Sequence, residues 1–246
     1  MTARGVVSLN SVETQLYFRQ LLSGTDFAKD DPFAQQMVNF VYLVGDRSTG
    51  SCVVIDPAYA VDEIDEIAAG DGMTITDALG THFHADHIGG TIGNFKIEGV
   101  AGLLERRQIK LHVQKPEAEW VLKGSGLSAG DLVLHDSGDV LEVGSVKITL
   151  LHTPGHTPGS QCFLVDGACV SGDTLFLDGC GRTDFPGSNP EDMYDSLQKL
   201  ASLPSGTIVF PGHRYSAAPY GEIDAIKSQN YVFQPKDKQQ WLNWFS

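Results

Sequence analysis

The 246-residue sequence predicts a single α/β domain, and three observations carry that reading. β-rich runs bounded by turn residues alternate with amphipathic segments of helical spacing. Hydrophobic residues make up 41% of the chain, enough for one substantial core at a length where α/β chains still fold as one domain. The arrangement of the first half also recurs in the second, with polar residues placed just past the strand ends.

Val38 to Val44 and Cys52 to Ile55 are β-rich and are joined by the polar, Gly-bounded connection 45–50, which predicts a hairpin. Asp56-Pro57 ends it. Val61 to Ala69 then places apolar residues at 61, 64, 67 and 68 with acidic residues opposite, a helix pattern. Thr74 to Leu79 is a short strand that delivers the chain into His82. Gln108 to Asp136 reads as irregular and helix-leaning. In the second half Val146 to Leu151, Gln161 to Val165 and Ala168 to Ser171 read as strands, Glu191 to Leu203 as a helix and Thr207 to Phe210 as a last strand. His156, Asp173 and His213 follow three of these strands, each beside a glycine (Gly155, Gly172, Gly212) that permits a tight turn. Separate loops are thereby expected to meet on one rim. No Pro/Ser-rich linker or short-period repeat interrupts the chain, so the domain is expected to span residues 1–246, with a short aromatic tail over 214–246.

Composition removes several function classes. Met1 to Asn10 shows no basic start followed by an apolar run, and no window reaches the roughly 18 apolar residues of a membrane span, so a cytoplasmic protein without a membrane partner is expected. Cys52, Cys162, Cys169 and Cys180 are too few and scattered for a disulfide framework; reduced thiols fit. A formal charge of −14 offers phosphate backbones nothing, so no nucleic-acid partner is expected. A homo-oligomer is left open.

The densest chemistry is Thr81-His82-Phe83-His84-Ala85-Asp86-His87. Three imidazoles and a carboxylate in so short a span arise by chance in on the order of one such chain in a thousand. Nitrogen and oxygen donors together suit transition metals, with zinc the first expectation and iron the second. His82 and His84, two apart, face one ion if the backbone is extended, while Asp86 and His87, further on, face another. His156 would complete a three-histidine site, His213 would join Asp86 and His87, and Asp173 would bridge two divalent ions. Asp86 and Asp173 are the candidate catalytic carboxylates. His112 and His135 read as structural or exposed. Cys180, between two glycines, reads as packing beside the site, and Arg182 either as surface or as a grip on an anionic substrate.

Taken in order, Thr81 to His87, Thr153-Pro154-Gly155-His156-Thr157, Ser171-Gly172-Asp173-Thr174-Leu175-Phe176 and Pro211-Gly212-His213 resemble the motifs of the metallo-β-lactamase superfamily from about Val38 to Tyr215. The resemblance implies an αββα sandwich, two facing mixed sheets flanked by helices, with the metal site at one edge. Gly179-Cys180-Gly181-Arg182-Thr183-Asp184-Phe185 resembles the glyoxalase II-like and persulfide dioxygenase branch, and Phe18-Arg19-Gln20-Leu21 the start of the dioxygenases.

Two chemistries follow from that branch. Glyoxalase II-like members hydrolyse glutathione thioesters at a two-metal site. Persulfide dioxygenases use one iron, here on His84, His156 and Asp173, to oxidise a glutathione persulfide. The expected activity is a metallo-hydrolase acting on a thioester or related acyl bond through a metal-bound hydroxide. An ester or lactone hydrolase and a non-catalytic metal-binding member are further alternatives. The substrate is expected to be a small molecule, such as a conjugate of a low-molecular-weight thiol, met by Arg182, Cys180 and Tyr215. Glyoxalase II proper carries a C-terminal helical domain that contacts glutathione, whereas only residues 214–246 follow the last ligand here. The insert 24–36 has no counterpart in the resemblance.

Overall fold

Successive side chains of a β-strand point to opposite faces, and in this protein both faces of the strands are covered. In the computed structural model, which describes residues 15–245, Val41 and Leu43 pack with Ile64 and Ala68 of a helix, while the alternate Tyr42 and Val44 pack with Ile148 and Phe163 of a second sheet. The segment 1–10, read above for a leader, lies outside the described residues.

The first half runs β1 (Leu16–Leu22), α1 (Pro32–Met37), β2 (Phe40–Asp46), β3 (Ser51–Ile55), α2 (Val61–Gly70), β4 (Thr74–Leu79) and α3 (Ala85–Ile88). A small hairpin of β5 (Gly90–Ile92) and β6 (Phe95–Ile97) leads to α4 (Val100–Leu104), β7 (Leu111–Gln114), α5 (Ala118–Gly124) and β8 (Leu132–His135). The second half contains β9 (Val140–Val143), β10 (Val146–His152), β11 (Gln161–Val165), β12 (Ala168–Gly172), α6 (Pro190–Ala201), β13 (Ile208–Pro211), β14 (Gly221–Glu222), α7 (Ile223–Gln229) and α8 (Lys238–Phe245). The sheets run β1-β2-β3-β4-β7-β8 and β14-β13-β12-β11-β10-β9. Each is mixed: β3, β4, β7 and β8 are parallel, as are β12 and β13, and the other pairs are antiparallel.

Phe18, Tyr42, Val53 and Ile55 meet Ile148, Leu150, Phe163 and Phe210 between the sheets. The outer face of the first sheet is closed by α2, α4 and α5 through Ile64, Leu103 and Val121. The outer face of the second is closed by α6, α7 and α8 through Leu197, Ile226 and Trp241. The fold is the αββα sandwich. Cys52, Cys162 and Cys169 alternate onto the outer, helix-covered faces as buried free thiols.

Several elements differ from expectation. The first hairpin strand starts at Phe40 because Val38 takes a left-handed conformation (φ 49°) to cap α1. β1 carries the quoted Phe18-Arg19-Gln20-Leu21. The 108–136 region, expected to be irregular, contributes β7 and β8 to the first sheet. At four residues each, these strands are too short for their periodicity to stand out from a helix pattern. The 24–36 insert has a physical role: Phe27 and Ala34 are fully buried, and Asp31 caps α1 by accepting from the Phe33 and Ala34 amides. In the tail, α8 buries Trp241, whose indole donates to the Val232 carbonyl at 3.1 Å. No helix among the described residues is long and apolar enough to cross a membrane.

Candidate metal centre

All seven predicted donors lie just past strand ends on one edge of the sandwich. His82 and His84 follow β4, Asp86 and His87 sit on the single turn α3, His156 follows β10, Asp173 follows β12 and His213 follows β13. Gly172 turns the chain into Asp173 with φ +50°, and a Cβ there would lie 2.6 Å from that of Thr81. Gly212 must be bare because a Cβ would lie 2.3 Å from Asp173 Oδ1.

The donors form two adjoining groups. His82 Nε2 and His156 Nε2 each lie 3.0 Å from His84 Nδ1. In the other group His87 Nε2 is 3.2 Å from His213 Nε2, and both are 3.5 Å from Asp86 Oδ2. Asp173 reaches into both, with Oδ2 at 3.8 Å from His156 Nε2 and 3.4 Å from His213 Nε2, and Oδ1 at 3.5 Å from His87 Nε2. Four ligands at about 2.1 Å on a tetrahedron are roughly 3.4 Å apart, so these separations suit cation coordination.

The hydrogen-bonding pattern points the same way. His156 Nδ1 donates to the Arg182 carbonyl and His213 Nδ1 to the Met37 carbonyl, both at 2.8 Å, while His87 Nδ1 donates to Asp56 Oδ2 at 2.9 Å. Each bond commits one ring nitrogen and turns Nε2 towards the shared centre, as metal-ligating histidines require. Thr81 Oγ1 donates to Asp56 Oδ2 at 2.6 Å and sits 3.0 Å from His82 Nδ1. One carboxylate therefore stands behind both groups. Asp173 Oδ1 is buried without a hydrogen-bond partner, an expensive state that a cation would relieve. The residues fit two transition-metal ions.

Electrostatics separates the groups. Burial and the surrounding imidazoles hold His82 well below its ordinary value and bring His84 down to about 4. Burial also opposes charge on His87, but Asp86, Asp173 and Asp56 outweigh it and raise it to about 10. His213 is likewise raised, with Asp173 overcoming burial. Burial opposes ionisation of Asp173 too, yet His213 and His87 keep it well below 3.8.

Sequence reasoning passed over Asp56, read only as the end of a hairpin, and Asn39, whose amide donates to Asp86 Oδ2 at 3.1 Å. It also missed Glu117, in the region taken as irregular. Glu117 accepts from Phe83 N, Thr157 Oγ1 and Gly159 N at 2.7, 2.8 and 2.6 Å, pinning the His82–His87 loop to the His156 loop. Its burial pushes the carboxyl up to about 7 despite those bonds. No local motif marks these positions.

His112 and His135 stack away from the centre, with Nδ1 and Nε2 2.8 Å apart. Cys180, Arg182 and Tyr215 line a cavity of about 700 Å³ above the donors. Burial raises the Cys180 thiol to about 12, which leaves little thiolate for nucleophilic attack. The Arg182 fork is bound by Asp184 at 2.9 and 2.7 Å.

Seven imidazole and carboxylate donors in two joined groups, at the edge of a two-sheet sandwich, define a candidate two-metal centre, and the relatives that share the fold make the protein a metallo-hydrolase. The family model of the metallo-beta-lactamase superfamily matches residues 35–213, and the chain belongs to that superfamily. It is 28% identical to a probable polyketide biosynthesis zinc-dependent hydrolase, BaeB, of Bacillus velezensis, over 86% of this chain and 89% of that one. It is 35% identical to a hydroxyacylglutathione hydrolase of Rhodopseudomonas palustris, over 82% of this chain and 72% of that one. Among solved structures, ETHE1 from Myxococcus xanthus superposes with a TM-score of 0.76 at 31% identity, covering 92% of this chain and 88% of that one.

Proposed function

We propose that the protein hydrolyses a thioester or related acyl bond. The observation that carries this reading is the bridging position of Asp173 between two donor groups on the floor of one cavity. Two divalent ions held there would lower the pKa of a shared water towards about 7 and polarise the carbonyl. His82, His84 and His156 would hold one ion, Asp86, His87 and His213 the other, and Asp173 both. Asp86, fixed by Asn39, orients the attacking oxygen. In the overall step a C–O bond forms, the C–S bond breaks and its electron pair leaves with sulfur. A thiolate leaves readily without a proton, which suits a wall whose Cys180 lies far from a useful pKa. Hydroxyacylglutathione hydrolases among the relatives support the class of bond.

One observation favours a second reading, the one-iron oxygenase acting on a persulfide. His84, His156 and Asp173, the donors that branch uses, also converge, with His156 Nε2 3.0 Å from His84 Nδ1 and 3.8 Å from Asp173 Oδ2. Thiol release from acyl thioesters under anaerobic conditions, beside oxygen uptake with a persulfide, separates the readings. Hydrolysis without oxygen is expected; oxygen uptake without thioester cleavage, in protein carrying about one iron per chain, overturns it.

A further inference from the structure

We infer that the substrate is an uncharged thioester with an apolar acyl chain, a conclusion that rests on the thioester reading above. Each donor group is flanked by an aromatic ring. Phe185 stands edge-on to His84 at 5.5 Å and to His156 at 6.0 Å. Tyr215 lies flat on His213 at 4.7 Å and meets Phe176 at 5.1 Å. Phe185 is 36% and Tyr215 57% exposed, and both line the cavity. Met37, Ile92 and Tyr231 extend the apolar wall. Large rings left open beside a reactive floor are where apolar ligand surface gains most from burial.

The charge of the wall points the same way. Arg182 is the only lysine or arginine among the described lining residues; its fork is held by Asp184 and its Cζ lies 4.3 Å from the centre of the Phe185 ring. Asp178 adds a carboxylate to the same wall, in a chain of formal charge −14. Asp184 offsets the charge that the carboxylates of a glutathione conjugate would seek and takes two of the five guanidinium donors. Behind the cavity wall lies α8, with Phe245 stacked on Tyr231 and its carbonyl accepting from Thr183 Oγ1 at 3.0 Å. Asn230 holds that wall by bonding both the amide and the carbonyl of Gly179. A cavity of about 700 Å³ takes a chain of several carbons together with its thiol.

The test uses the metal-loaded protein with acetyl, butyryl, hexanoyl and octanoyl thioesters of N-acetylcysteamine and of glutathione, reading thiol release. We expect kcat/KM to rise by about fourfold per methylene until the cavity is filled, and N-acetylcysteamine esters to exceed glutathione esters of the same chain by about tenfold or more. Phe185→Ala should flatten the chain-length series mainly through KM, and Phe185→Leu should restore part of it. A flat series, or a preference for glutathione esters, overturns the inference while leaving the hydrolase reading intact. If no thioester is cleaved, the thioester reading fails and the substrate assignment fails with it; calorimetry with the corresponding non-hydrolysable N-acetylcysteamine thioethers then tests the apolar preference of the cavity by itself, and chain-independent or undetectable binding overturns that as well.

Discussion

The two donor groups contain the same residue type under opposite pressures. In the all-imidazole group, burial and then the repulsion of neighbouring imidazoles drive His82 and His84 neutral, His84 to about 4. A few ångströms away His87 and His213 face Asp86 and Asp173, and His87 rises to about 10. The difference shows that charge placement, more than burial, decides which histidines carry a proton before a metal arrives. The first group offers lone pairs at neutral pH, whereas the second must release protons to bind.

The largest effect is expected where the groups share a residue. Asp173→Ala should lose both ions and abolish turnover, and His84→Ala should abolish turnover while sparing the carboxylate group more. Elemental analysis checks both, and full metal retention in Asp173→Ala would remove the bridge from the scheme. Next comes Asp86→Asn, which keeps shape and removes charge: a rate loss of about 10²-fold or more with partial metal retention is expected, the scale of one well-placed polar group. Unchanged turnover would favour the one-iron reading.

Asp56→Asn removes the carboxylate behind His87 and Thr81 and should weaken metal binding by about 10- to 100-fold, measured by competition with a chelator. The loss should fall mainly on the carboxylate group, to which Asp56 bonds directly.

Acidification should separate the groups. As pH falls from about 8 to about 6, metal should leave the His87 group first, because its proton competes throughout that range while His84 has none until about 4, giving a plateau near one ion per chain. Loss of both ions together breaks the distinction. In metal-free protein the signs are also opposite. The raised His87 contributes stability that is complete below about 6.5 and fades as pH rises through about 10, while the lowered His84 costs stability as pH falls from about 6.5 towards 4. Thermal melts of chelated protein across that range test this. The smallest effect is expected for His112→Ala, remote from both groups, which should keep metal and turnover.

The candidate donors were legible from the sequence because the signal is local: His82, His84, Asp86 and His87 share one short segment, and the glycines beside His156, Asp173 and His213 mark turns at strand ends. The helices over 61–69 and 191–203 and the strands around them were legible for a similar reason, since their periodicity runs for several residues. Asp56, Asn39 and Glu117 carry no such mark. Each works through a contact across 25 or more positions of chain, and only the lateral pairing of the first sheet's strands and the loops at their ends sets those distances. The sequence by itself determined which atoms can bind metal. The tertiary structure decided which histidines are neutral, which backbone carbonyls orient them and which rings face the substrate, because field, burial and exposure depend on neighbours that the linear order keeps apart.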